Sequence, residues 1–148
     1  MKIYTTRFGE IEVNDNTVIT FPSGILGFPD VKNYVLLDVD ESSPLKWMQS
    51  TEEPSLAFVV IDPNLFKADY VINAHRSDLK DIEVEKAEDV VVLVLVTVPR
   101  EPSRMTANLK GPVLINVKNN KAKQMIVDDV DYDIKYRLLS EDMIEQVV

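Results

Sequence analysis

Apolar residues are packed most densely in Val90-Val-Val-Leu-Val-Leu-Val-Thr-Val98, where seven in a row precede Thr97. Five of those seven are β-branched, which suits a pleated strand better than a helix. Alternation is absent, so the run is expected to be covered by protein on both faces, as the central strand of a curled sheet. Pro99 removes a backbone donor and closes it. Nine residues would span about 30 Å as a strand, and the run is far short of the ~18 apolar residues of a membrane helix. Leu56-Ala-Phe-Val-Val-Ile61 is the second nearly continuous apolar run and is expected to lie beside the first, ending at Asp62-Pro63-Asn64.

Elsewhere the pattern alternates. Ile3 to Phe8, Glu10 to Asn14 and Val18 to Phe21 read as three strands of a meander, with Ile11 and Val13 pointing inward. Tyr34 to Asp38 and Leu45 to Ser50 are further strands, the latter placing Leu45, Trp47 and Gln49 on one side. Asp69 to Ala74 reads as a short strand, and Ser77 to Ile82 as a short helix capped by Ser77. Arg100 to Arg104 is a polar crossover. Met105 to Lys110 and Pro112 to Val117 are strands broken at Gly111-Pro112, where the proline suggests a bulge or an edge position. Lys118-Asn-Asn-Lys121 is a hairpin turn leading into a returning strand, Ala122 to Val127. Ser140 to Val147 carries helical signals, with Ser140 able to cap and Leu139 and Ile144 spaced for a hydrophobic staple. The expected fold is mostly β, a single domain over 1–148, with an antiparallel or mixed sheet curled into a pseudobarrel and short helices around residues 77–82 and 140–147.

One connection breaks the rule that loops are polar. Phe21-Pro-Ser-Gly-Ile-Leu-Gly-Phe-Pro-Asp30 has four large apolar side chains in ten residues. Such a loop can fold back to cap one end of a barrel, or it can display an apolar patch to a partner, and different side chains can do each. Ile25, Leu26 and Phe28 are the candidate contacts. Trp47 is the lone tryptophan, a core residue or a contact anchor according to its exposure. Asp38, Asp40, Glu41 and Asp62 are candidate charge contacts.

Composition narrows the function. The 148 residues carry a net charge of −9, which disfavours direct binding of a phosphate backbone and favours attraction to a basic protein. The bland alternative is that the charge serves solubility. There is no cysteine, hence no disulfide, thiolate zinc site or thiol nucleophile. No secretory signal is visible at Met1 to Arg7, so the cytoplasm is the expected location. His75 is the lone histidine and no Gly-x-Ser-x-Gly elbow accompanies it. Asp129-x-Asp131-x-Asp133 starts like a calcium loop, but Ile134 and Ser140 stand where glycine and glutamate are required, which leaves a solvated acidic surface. Gly24-x-x-Gly27 lacks the Gly-Lys-[Ser/Thr] continuation of a phosphate loop. Neither enzymatic activity nor a cofactor or metal is expected.

The chain resembles the flagellar assembly factor FliW family over almost its whole length. The matching segments are Thr6 to Val13, Ile19 to Phe28, Trp47 to Ser50, Phe58 to Pro63, Val96 to Pro99, and Met105 to Asn116 followed by Lys123-Gln124. The resemblance implies a small cytoplasmic protein without enzymatic activity that binds free flagellin. It also implies binding of CsrA, a dimeric RNA-binding repressor of flagellin translation, in a manner exclusive of flagellin and away from the RNA surface of CsrA. A monomer when free, with no direct nucleic-acid or membrane contact, is expected. The alternative from another class is an OB-like nucleic-acid-binding barrel, which needs a basic groove with stacking aromatics.

Overall fold

The computed structural model describes residues 1–138, so the helix expected at 140–147 lies outside the described residues. Eleven strands form among them: β1 (Lys2–Thr5), β2 (Gly9–Glu12), β3 (Ile19–Thr20), β4 (Asn33–Asp38), β5 (Lys46–Ser50), β6 (Ala57–Ile61), β7 (Val90–Thr97), β8 (Thr106–Ala107), β9 (Val113–Asn116), β10 (Lys121–Gln124) and β11 (Tyr136–Arg137). One short helix, α1 (Arg76–Leu79), and several single 3-10 turns complete the regular structure of the described residues. Seven strands close a ring in the order β7-β6-β5-β4-β3-β10-β9 and back to β7, with β8 attached to β7 outside it and β11 attached to β8. All pairings in the ring are antiparallel except β10 with β3, which meet in parallel at Lys121 and Thr20. Closure removes the sheet edges that would otherwise invite pairing with other chains.

Alternation along each strand sorts the apolar residues into three clusters. Tyr34, Met48, Val60, Leu93, Val113 and Ile115 point into the ring, with Phe21 and Ile25 closing one end. Outside it, Ile61, Val94 and Val96 on β6 and β7 are covered by Tyr70, Tyr132 and Leu138. On the opposite flank the β1–β2 hairpin lays Ile3 and Val13 over Val35. The continuous apolar runs of β6 and β7 follow: their odd and even residues serve two different cores.

β7 is central as its valines predict, pairing with β6, β8 and β9. It is not covered throughout, for Val91 is 43% exposed where the ring opens at its N-terminal end. The expected meander also divides. β1 and β2 form their own two-stranded sheet, and β3 turns away to pair with β4 and β10. Residues 69–74 form no strand; in place of a strand partner, the hydroxyl of Tyr132 donates to the Val71 carbonyl (2.9 Å) and accepts from its N–H (2.8 Å). Residue 75, not 77, caps α1, because the Asp78 carboxylate reaches back to accept from the His75 N–H at 2.8 Å. Arg100–Arg104 belongs to an antiparallel connection from β7 to β8 rather than a crossover. Asn120 adopts φ +57, as the hairpin turn at 118–121 requires.

Candidate functional site

Antiparallel β4, β5 and β6 give the ring two distinct ends on this side. At one end lie the start of β4, the end of β5 and the start of β6, together with the 21–31 loop. The other end collects the end of β4, the acidic connection to β5, and Asp62 just past β6. Phe58 and Asp62 are four residues apart, so the two ends are separated by roughly 13 Å along the strand.

The 21–31 loop is a built structure. Ile25 and Phe28 form a bridge in which the Phe28 N–H donates to the Ile25 carbonyl at 2.7 Å, leaving Leu26 and Gly27 at the tip. Gly27 has φ +89, the left-handed third position of a type II turn. Gly24, at φ +69, is packed so closely that a Cβ there would lie 2.6 Å from the Phe28 carbonyl oxygen and from Pro29 Cα. The Leu26 N–H donates to the Gln124 side chain of β10 at 3.0 Å, fixing the tip to the ring, and Gln124 also donates to the Gly111 carbonyl.

This geometry divides the three apolar candidates. Ile25 is only 2% exposed and belongs to the interior core, so it is withdrawn as a contact: the left-handed Gly24 turns its side chain into the barrel. Leu26 is 76% exposed and Phe28 40%. Phe28 stands edge-on to Phe58 (5.6 Å between centroids), which packs on Tyr34 (6.1 Å), itself edge-on to the fully buried Phe21 (5.3 Å). An aromatic column thus runs from the interior to the surface and holds the apolar tip in place. Burial pushes the Tyr34 hydroxyl up to about 12, with the negative charge of Glu52 adding to the rise. Among the described residues, that hydroxyl has no hydrogen-bond partner.

The acidic end is assembled from local contacts. Asp38 pairs with Lys46 across β4 and β5. The Asp40 carboxylate accepts from the Ser42 N–H (2.8 Å) and hydroxyl (2.7 Å), and these bonds, the hydroxyl first, hold its pKa below the usual carboxylate range. Glu41 is exposed beside it. Asp62 is exposed and caps the 3-10 turn after β6 by accepting from the Asn64 N–H at 2.9 Å. The structure therefore brings Asp38, Asp40, Glu41 and Asp62 to one end and Leu26 and Phe28 to the other.

Trp47 lies on the outer wall between them, paired with Leu37 and Val59. It is half-buried, with the Arg7 guanidinium 4.0 Å from its ring centroid and Phe8 edge-on at 6.1 Å. The turn of the β1–β2 hairpin supplies both groups, so this tryptophan is partly sheltered by its own chain. Its neighbour Gln49 is fully buried and donates to the carbonyls of Ser50, Pro54 and Leu56, tying down the turn after β5. Sequence reasoning missed Phe58 and Gln124 as supports of the tip, and Tyr132 as an anchor, because each acts across a large separation in the chain.

Among the described residues, no group of three or more histidines, aspartates or glutamates is placed to hold a metal ion. Nor is any helix among them long and apolar enough to cross a membrane.

Comparison with known proteins connects this scaffold to one family. The FliW protein family model matches residues 2–138. The flagellar assembly factor FliW of Natranaerobius thermophilus is 44% identical over 142 residues, covering 95% of this chain and 94% of its own. That of Leptospira interrogans serogroup Icterohaemorrhagiae serovar Lai is 40% identical over 146 residues, covering 98% and 97%. A crystal structure of the flagellar assembly factor FliW superposes with a TM-score of 0.88 at 34% identity, over 95% of this chain and 99% of the other. With its ring of seven strands, its rigid apolar tip and matches that run nearly end to end, the chain belongs to the flagellar assembly factor FliW family.

Proposed function

We propose that this protein is a non-enzymatic regulator of flagellar assembly that works in the cytoplasm by binding two proteins in turn. It holds flagellin. When free of flagellin it sequesters CsrA without occupying the RNA site, which relieves repression of flagellin translation. The observation that carries this reading is the exposed Leu26 tip, set on an aromatic column and pinned by Gln124, in a chain of net charge −9. An exposed leucine held rigid has little conformational entropy left to lose on binding, which is how preorganisation strengthens an interface. Strong negative charge speeds encounter with a basic RNA-binding protein. Negative charge brought beside an RNA surface also repels RNA without covering its site.

Mutual exclusion is sufficient for a switch, because each partner lowers the free protein available to the other by mass action. Size-exclusion chromatography with CsrA, alone and with flagellin added, tests the reading. CsrA is expected to co-elute with the protein and to be displaced by flagellin. Failure of both partners to co-elute at any ratio overturns it.

A further inference from the structure

Strand β11 fixes the direction in which the chain goes on past Leu138. It is antiparallel to β8, and β8 to β7, so β11 runs the same way as β7. That way leads to the end of the ring that carries the start of β6 and the 21–31 loop. Leu138 anchors the exit: its side chain is buried in the outer cluster, and its N–H donates to the Met105 carbonyl at 3.2 Å. Register places this exit near the apolar tip. Arg137 lies opposite Thr106, and Thr106 opposite Thr97. Val59 lies opposite Val96, so one step further along the same ladder Phe58 meets Thr97. Arg137, Thr106, Thr97 and Phe58 therefore form one row, three strand spacings or about 14 Å across. Phe58 in turn supports Phe28, 5.6 Å away between ring centroids.

The surface along this row is apolar with a basic corner. Val98, near the exit, is 47% exposed, and it is followed toward the loop by the exposed Phe28 and Leu26. Arg100, Arg104 and Arg137 are exposed around the exit. Among the described residues only Arg104 of these three has a carboxylate partner, Glu101 at 3.3 Å. The sequence that follows is complementary in both respects. Leu139 to Val148 carries Glu141, Asp142 and Glu145 with no lysine or arginine, and Met143, Ile144 and Val147 among them. At the helical period of about 100° per residue, these three apolar residues share one face and the three carboxylates the other. Ten residues reach about 15 Å as a helix and about 33 Å extended, enough to cross the row.

We infer that residues 139–148 dock in cis on this end of the ring, laying Met143, Ile144 and Val147 against Val98, Phe28 and Leu26 with Glu141 and Asp142 beside the exit arginines, and shield the tip until a partner displaces them. A helix of two turns is marginal alone and draws its stability from the surface it covers. Tethering supplies it to the tip at an effective concentration of about millimolar, so a weak contact competes with a protein free in solution. A partner's apparent affinity falls by the fraction of time the tip is covered. This is regulation of the tip named in the proposed function and rests on that reading.

The chain has no cysteine, so Val147→Cys accepts a single nitroxide label in the full-length protein. In the free protein the label is expected to broaden away the amide signals of Leu26, Phe28 and Val98, and to leave those of Asp40 and Glu41, at the other end of the ring, at full intensity. Equal intensity at the two ends overturns the inference. So does broadening in a mixture where nitroxide and isotope are on different chains, which would mean that a second copy covers the tip. Adding Met143→Asp and Ile144→Asp to the labelled chain is expected to restore the signals and to strengthen flagellin capture about threefold to tenfold. Restored signals with unchanged affinity overturn the shielding. If flagellin binds neither form, the proposed function falls, and the label alone decides whether the segment lies on the tip.

Discussion

The 21–31 loop and the 38–45 connection both leave the same strand, β4, at its two ends, and they are held by different physics. The first is tied to distant parts of the chain. Gln124 grips its tip, Phe58 and Tyr34 support Phe28, and Gly24 is wedged against the backbone of Phe28 and Pro29. The polar contacts of the second are all local, Asp40 with Ser42 and Asp38 with Lys46, and only Leu45 at its end packs on the outer cluster. A loop with long-range anchors presents one shape and supplies contact energy. A loop with local polar anchors presents charge, whose effect reaches farther than its geometry and is screened by salt.

The strongest way to break this contrast is Gly24→Ala. The left-handed φ of +69 is strained for alanine, and the atoms 2.6 Å from its Cβ are backbone, which cannot move aside cheaply. A loss of about 2–4 kcal/mol in urea unfolding is expected, with the apolar tip displaced. An equal loss for Gly27→Ala would refute the wedge, because a Cβ at Gly27, φ +89, would meet nothing within 4 Å among the described residues and should cost only about 1 kcal/mol from backbone strain.

Leu26→Asp separates contact from folding. Its side chain is 76% exposed, so the melting temperature should hold. Capture of flagellin or CsrA should weaken at least about tenfold, about 1.4 kcal/mol, mainly through faster dissociation. Calorimetry with both partners measures this, and normal affinity for each removes the tip from the interface.

What could be read in the sequence follows the same division between local and distant causes. β7 and its pairing with β6 were legible, because a strand that serves two cores must be apolar at every position, and Val90 to Val96 is. The apolar loop was legible as an anomaly, yet its division was not. Pattern shows that Ile25, Leu26 and Phe28 are apolar, whereas their directions depend on the positive φ at Gly24 and Gly27, set by packing against Pro29 and the bond from Gln124. Asp69 to Ala74 has the composition of a strand, but strand formation needs a neighbour, and at Val71 the neighbour is a tyrosine hydroxyl 61 residues away. Ser77 looked like a cap because caps are read from the capping residue, while here Asp78 reaches back to the backbone of His75.

Charge at the acidic end should act on encounter. Neutralising it with Asp38→Asn, Asp40→Asn and Glu41→Gln together is expected to slow association with CsrA by about threefold to tenfold at low salt. Stopped-flow rates should converge with those of the unaltered protein near 1 M salt, roughly where the screening length falls to 3 Å. A deficit that persists there would mean that these residues make fixed contacts, like the tip.

The smallest effect isolates the local anchor. The Ser42 hydroxyl and N–H both donate to Asp40, which stabilises the charged carboxylate and lowers its pKa. A depressed folded pKa means that the bond contributes fully above the range of an unfolded aspartate and is lost as pH falls through the lower folded value. Ser42→Ala removes the hydroxyl, the larger cause, so the Asp40 titration followed by carboxyl NMR should move up toward that of an ordinary aspartate. The Leu26 and Phe28 resonances, at the other end of β4, should not move with it. If they do, the two loops are coupled through the strand, and the acidic end shapes the apolar tip as well as steering partners to it.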